Sequence, residues 1–77
     1  MARVEVKLFA ILRQYIDGAA STDVEIEPGE TVGDVLDRLG VPHDQTRVMF
    51  LNSRAVDLTH VLQGGEELSV FPAIGGG

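Results

Sequence analysis

The sequence predicts an α+β fold in which a mixed sheet of four to five strands carries one main helix on one face. Three observations support this class. Two segments near the start of the chain alternate apolar and polar residues, as half-buried strands do. A later segment has one apolar stripe at helical spacing, and short apolar segments follow it. Because the order strand, strand, helix, strand carries the helix over the sheet through a right-handed crossover, an α+β roll is expected.

The first strand is predicted over residues 3–10, where Val4, Val6 and Leu8 alternate with polar side chains. Alternation of this kind places the apolar side chains on one face of a sheet and the polar ones on the other. Phe9 is the exception, because it falls on the polar side. An exposed aromatic side chain among charges is a common anchor of a protein interface, and the alternative is that Phe9 packs under a loop.

A short helical turn is predicted over residues 11–16, before Asp17-Gly18. The Asp-Gly pair is a typical signal for chain reversal. Apolar and polar residues alternate again over residues 22–27, so we expect the first two strands to pair as an antiparallel hairpin with a long loop.

The main helix is predicted to begin after Thr31, because Asp34 follows three residues later in the manner of a capping box. Gly40 stands where a left-handed C-terminal cap is expected, and Pro42 prevents the helix from continuing. The apolar stripe consists of Val32, Val35, Leu36 and Leu39. With one face to bury, this helix suits packing across a sheet.

The second half of the chain predicts three more strands, over residues 47–51, 54–56 and 67–71. An irregular or single-turn connection over residues 57–63 and a tight turn at residues 64–66 precede the last strand. Placing that strand beside the first would bury the centre of the sheet. The side chains expected there are Val4, Val6, Leu8, Leu68 and Val70.

Size and charge limit the classes of function. With 77 residues the chain is expected to form one domain, 1–77, with a thin stability margin and no deep active-site cavity. Its formal charge of −6 argues against a nucleic-acid partner, because phosphate binding needs clustered Lys and Arg, and it favours a basic protein partner or simple solubility. The sequence has no Cys and one lysine, Lys7. With no signal peptide or membrane span evident, a cytoplasmic location and no membrane partner are expected.

The most informative segment is the apolar run 71–74 followed by Gly75, Gly76 and Gly77. Glycine lacks Cβ, so a strip of main chain ending in a carboxylate can enter a cleft that side chains would block. We therefore expect the working group to be the Gly77 carboxylate on a flexible tail, residues 75–77. The alternative is an ordinary frayed terminus.

Three motifs together resemble the MoaD/ThiS family of ubiquitin-like β-grasp sulfur carriers. They are Thr-Val-Gly-Asp-Val-Leu-Asp-Arg-Leu at 31–39, Gly-Glu-Glu-Leu-Ser-Val-Phe-Pro at 65–72, and the Gly76-Gly77 pair. The resemblance covers essentially the whole chain and is greater to the MoaD branch, the molybdopterin synthase small subunits, than to the ThiS branch. It implies a ubiquitin-like β-grasp fold.

The resemblance also implies a chemistry for Gly77, with Gly76 giving steric access. A ubiquitin-activating-like adenylyltransferase of the MoeB/ThiF type would join the Gly77 carboxylate to AMP, using its own ATP and Mg, and a sulfur donor protein would then convert it to a thiocarboxylate. The acceptor implied is a MoaE-type molybdopterin synthase large subunit or another sulfur acceptor enzyme. This chain would itself bind no cofactor and would be a carrier rather than an enzyme. The partner-binding positions implied are Phe9, Phe71, Pro72, Ile74 and Gly75. Family members often have a larger apolar residue where this chain has Ala55.

The sequence also allows other interpretations. His43 and His60 lie in different loops without a further ligand at metal-site spacing, so no metal site is expected. The tail chemistry also suits a ubiquitin-like modifier that forms isopeptide bonds through Gly77, or a carrier for thiamin or tRNA thiolation. A third class is an interaction module with an inert terminus.

Overall fold

The computed structural model describes residues 2–72. They form a five-stranded sheet with one α-helix across one face. The strands are β1 (Ala2–Leu8), β2 (Ser21–Ile26), β3 (Thr46–Leu51), β4 (Arg54–Val56) and β5 (Glu67–Pro72), and the helix is α1 (Val32–Leu39). The strand order is β2-β1-β5-β3-β4. Strand β5 runs parallel to β1, whereas the other pairs are antiparallel, so the predicted mixed sheet of an α+β fold is confirmed.

Strand β1 ends at Leu8, two residues before the predicted end. Ala10 has φ of 54°, in the left-handed region that extended strands do not use, and it begins a 3-10 helix over Ala10–Ile16. Asp17, with φ of 57°, ends this helix and starts the turn into β2. The predicted hairpin with a long loop is confirmed, since Val4 pairs with Val24 in an antiparallel ladder.

Helix α1 begins and ends with the caps that the sequence predicts. The Thr31 N–H donates to Asp34 Oδ2 at 2.9 Å, and the Asp34 N–H donates to Thr31 Oγ1 at 3.2 Å. The hydrogen bond from the Thr31 N–H is the main reason that the pKa of Asp34 lies below its usual value. Gly40 ends the helix with φ of 81°. Such a capping box satisfies two backbone donors that a helix start otherwise leaves unpaired.

The core lies between α1 and one face of the sheet. Each of the five side chains expected at the centre of the sheet is fully buried: Val4, Val6, Leu8, Leu68 and Val70. The helix contributes three more that are also 0% exposed, namely Val32, Val35 and Leu36. Burying one such aliphatic side chain contributes about 1.5–3 kcal/mol. Strands β1 and β5 and helix α1 therefore supply the centre of the core.

The connections differ from the sequence-based expectation in detail. A short 3-10 helix over His43–Gln45 replaces the predicted loop and is held at its end by the Thr46 hydroxyl, which donates to the His43 carbonyl at 2.7 Å. The expected irregular connection over residues 57–63 is observed, and there Val61 forms an isolated bridge with Thr31. None of the helices within residues 2–72 is long and apolar enough to cross a membrane.

Candidate functional site

The candidate site begins where β5 ends, at Pro72. Strand β5 lies between β1 and β3 and is hydrogen-bonded to both, so the segment that follows starts from the middle of the sheet. The expectations for Ile74, Gly75, Gly76 and Gly77 fall outside the described residues. Phe71 and Pro72, the two predicted site residues next to them, are half-buried.

Three phenylalanine rings, Phe9, Phe50 and Phe71, form an aromatic cluster beside this strand end. The Phe9 and Phe71 rings are stacked, with centroids 4.3 Å apart and planes 8° from parallel. The Phe50 ring meets Phe71 edge-on, with centroids 5.9 Å apart at 86°. Aromatic pairs of these kinds contribute about 0.5–1.5 kcal/mol each beyond the area that they bury. The cluster therefore fixes the last residues of β5.

The pairing of the strands explains how the cluster forms. Phe50 lies opposite Ser69 of β5, and Val48 lies opposite Phe71. Met49 and Leu51, which follow Val48 and Phe50 in the strand, are buried in the core. Because side chains alternate along a strand, Val48 and Phe50 face the open side of the sheet. The Phe9 N–H donates to the Val70 carbonyl at 3.3 Å, which brings the Phe9 ring to the same place.

The sequence-based reasoning named Phe9 and Phe71 but missed Phe50. No signal for it is present in the sequence, because residues 48–51 are all apolar, and only the burial of Met49 and Leu51 in the structure assigns Phe50 to the open face. Ala55 of β4 pairs with Phe50 and is exposed, so it adds little bulk beside that ring. The role of these residues in binding a partner stays a prediction.

Charged side chains occupy the other half of the open face. Lys7 of β1 forms an ion pair with Glu67 of β5, and its hydrogen bond to that carboxylate raises the pKa of Lys7 above its usual value. The Arg3 guanidinium of β1 lies 3.9 Å from the Glu25 carboxylate of β2. The open face is thus apolar next to the strand end at Pro72 and charged farther away.

The histidines have other contacts. His43 Nε2 lies 2.8 Å from Asp37 Oδ1 and 3.3 Å from the Gly33 carbonyl, so this ring links the 3-10 helix over His43–Gln45 to α1. His60 is exposed in the irregular connection. Within residues 2–72, no group of three or more His, Cys, Asp or Glu side chains is arranged to hold a metal ion.

Comparison with known proteins agrees with this geometry. The sequence model of the ThiS family matches residues 6–77. The molybdopterin synthase sulfur carrier subunit of Mycobacterium tuberculosis is 29% identical over the full length of both chains. Small archaeal modifier protein 1 of Haloferax volcanii is 29% identical, with a TM-score of 0.78 over 96% of this chain and 100% of that one. A chain in the crystal structure of the Amycolatopsis orientalis BexX/CysO complex is 27% identical, with a TM-score of 0.64 over 96% of this chain and 99% of that chain.

The structural likeness to small archaeal modifier protein 1 covers 96% of this chain, and the family match continues to Gly77. The chain therefore belongs to the ThiS family, the small ubiquitin-like β-grasp sulfur carriers, as its sequence motifs indicate.

Proposed function

We propose that this protein carries sulfur as a thiocarboxylate on Gly77 and delivers it in the synthesis of molybdopterin. The observation that carries the proposal is the ThiS family match, which extends through Gly76 and Gly77. The position of β5 supports it, because a segment that starts from the middle of a rigid sheet can be presented to an enzyme cleft in a constant direction.

The chemistry follows from the poor reactivity of a carboxylate. One carboxylate oxygen of Gly77 attacks the α-phosphorus of ATP on the activating enzyme, and pyrophosphate leaves. Hydrosulfide (HS⁻) released by the sulfur donor then attacks the acyl carbon. AMP departs with the electron pair of the broken C–O bond, and the proton of the sulfur passes to water. Activation is needed because only after adenylation does the carbonyl carbon carry a good leaving group.

Glycine at the last two positions suits this sequence of steps. Neither Gly76 nor Gly77 has a side chain to obstruct the approach of nucleotide or sulfur to the acyl carbon. The thiocarboxylate is an anionic nucleophile at neutral pH, so transfer to an acceptor needs no base from this chain. A protein without cysteine can carry sulfur in this way.

The aromatic cluster is the proposed docking surface for the partners, together with Pro72, Ile74 and Gly75. Its support is the half-buried ring pair of Phe9 and Phe71 next to the start of the tail. The partners are an adenylyltransferase of the MoeB/ThiF type, which binds the Mg-ATP, a sulfur donor protein, and a MoaE-type large subunit as the acceptor. The Amycolatopsis orientalis structure is one of a complex of two proteins, BexX and CysO, which supports an interface of this general kind.

An intact-mass measurement tests the carrier function. The protein is incubated with a cognate adenylyltransferase, Mg-ATP and a sulfur donor, and the expected product is heavier by the replacement of one oxygen by sulfur. A variant without Gly76 and Gly77 is the control and should remain unmodified, since it no longer ends in two glycines. If the full-length protein forms the acyl adenylate but never gains sulfur, the carrier function is wrong.

The molybdopterin assignment rests on the Mycobacterium tuberculosis relative, which is a molybdopterin synthase sulfur carrier subunit. Its test is separate. The native protein is purified from its cells and its stable partners are identified, and a molybdopterin synthase large subunit is expected among them. Recovery of a thiamin or tRNA-thiolation enzyme instead would redirect the same chemistry to another pathway.

A second function, protein modification through Gly77, is favoured by the likeness to small archaeal modifier protein 1. The same acyl adenylate would then react with a lysine amine of a target, forming an isopeptide bond and releasing AMP. Mass spectrometry of cell extracts distinguishes the two functions. Because the chain has no Lys or Arg after Arg54, trypsin would leave residues 55–77 attached to a modified lysine. Finding such branched peptides would support modification, and their absence would leave sulfur transfer as the only function of Gly77.

A further inference from the structure

An apolar groove of about 1280 Å³ lies between β2 and the end of α1, away from the aromatic cluster. Its apolar lining comes from separate parts of the chain: Ala2, Val24, Ile26, Leu39, Val61 and Leu62. The Val61 side chain is 43% exposed there, although it is aliphatic. Exposed aliphatic surface in a groove is commonly a binding surface.

The backbone of β2 next to this groove has hydrogen-bonding groups available. Strand β2 is at an edge of the sheet and pairs only with β1 among the described strands. The Leu8 N–H donates to the Ala20 carbonyl, so in this antiparallel ladder the even-numbered residues of β2 bond to β1. The N–H and C=O groups of Ser21, Asp23 and Glu25 therefore point away from the sheet.

Arg38 already occupies one acceptor on this edge. Its guanidinium donates to the Glu25 carbonyl, on the side of β2 away from β1, and also pairs with the Glu30 carboxylate. The positive charge of Arg38 is thus compensated, and one acceptor at the end of β2 is occupied. The N–H and C=O of Asp23 are the next groups along the edge, one residue pair away.

A strand added here would meet two different surfaces. On the side of the sheet that faces α1, its side chains would lie beside Val24 and Leu39. On the opposite side they would lie beside the exposed carboxylates Asp23 and Glu25. Because side chains of a strand point alternately to the two faces, the best fit is a segment in which aliphatic and basic residues alternate. The formal charge of −6 also favours a basic partner.

We propose that the groove between β2 and α1 binds an extended segment of a partner protein, with aliphatic residues alternating with Lys or Arg, as an additional strand on β2. Backbone hydrogen bonds to Ser21 and Asp23 supply part of the affinity, and the alternating side chains supply the selectivity. This surface is distinct from the aromatic cluster, so a protein could occupy it while the tail is engaged elsewhere. The proposal does not depend on the sulfur-carrier function.

The test uses the full chain and a fluorescent, end-capped peptide of three Val-Lys repeats, with a Val-Glu peptide of the same length for comparison. Fluorescence anisotropy should show binding of the Val-Lys peptide and none of the Val-Glu peptide at equal concentration. The Asp23→Lys variant should weaken binding about fivefold, because it replaces an attraction with a repulsion. Asp44→Lys, which makes the same charge change on an exposed residue outside the groove, should leave binding unchanged.

Hydrogen exchange distinguishes strand addition from nonspecific charge attraction, because charge attraction alone would not slow the exchange of one backbone amide. Saturating Val-Lys peptide should slow exchange of the Asp23 amide at least about tenfold, since that N–H gains a strand partner. The Val24 amide, which already faces β1, should change little. The proposal is wrong if the peptide does not bind, if Asp23→Lys and Asp44→Lys weaken it equally, or if the Asp23 amide keeps its rate.

Discussion

Stacking of Phe9 on Phe71 should be measurable as a coupling free energy between the two side chains. Replacing either ring by leucine keeps an apolar side chain but removes the stack, whose centroids are 4.3 Å apart. Phe9→Leu loses one ring contact and should lower the free energy of unfolding by about 0.5–1.5 kcal/mol. Phe71→Leu also loses the edge contact with Phe50 and should cost about 1–3 kcal/mol.

The double variant of Phe9→Leu and Phe71→Leu gives the free energy that the ring stack contributes. Once the first substitution has removed the stack, the second cannot remove it again. The double variant should therefore lose about 1 kcal/mol less stability than the sum of the two single losses. Against a total stability of about 4–12 kcal/mol for a domain of this size, that difference is easily resolved. Urea unfolding followed by far-ultraviolet circular dichroism is the appropriate assay, since the chain has no Trp.

The matched control is the double variant of Phe9→Leu and Val61→Ala. Val61 lies in the groove beside β2, on the helix side of the sheet. Those two losses should add within about 0.5 kcal/mol. A Phe9–Phe71 coupling no larger than that of the control pair would refute the view that stacking holds the end of β5.

Three further predictions concern the fold that supports the site. Gly64→Ala should destabilise more than Gly65→Ala, by at least about 1 kcal/mol in urea unfolding, because both have positive φ but only a Cβ at Gly64 would meet another atom, Ala2 Cβ at 2.8 Å. Leu36→Ala should cost about 2–5 kcal/mol in the same assay, since that helix side chain is fully buried. The pKa of Asp34 is below its usual value, so its contribution to stability is present above about pH 4 and is lost as the pH falls through the native pKa. Acid titrations should therefore show a smaller loss of stability for Asp34→Asn than for the wild type.

Much of the fold could be predicted because its local and long-range signals agree. Thr31 and Gly40 mark the two ends of α1 by their own chemistry, and the alternation of Val4 and Val6 with polar residues identifies a strand with one buried face. The end of β1 could not be placed, because the positive φ of Ala10 is imposed by the surrounding fold rather than by an alanine preference.

The site was predicted only in part, for a different reason. Phe9 and Phe71 were recognisable singly, but their contact with Phe50 depends on which strands are neighbours and in which register. The groove beside β2 was not recognisable at all, because its lining comes from four separated segments of the chain. Sequence patterns report what one segment does, whereas a shared surface depends on how the segments are assembled.

The most direct test of the central claim is tandem mass spectrometry of the C-terminal tryptic peptide, residues 55–77, because Arg54 is the last Lys or Arg in the sequence. The protein is taken from cells in which it is expressed with its activating enzyme and sulfur donor. We expect a population of this peptide in which one oxygen of the Gly77 carboxylate is replaced by sulfur, with every other residue unmodified. A peptide that carries only the ordinary carboxylate, while the activating enzyme demonstrably consumes ATP on this protein, would contradict the account.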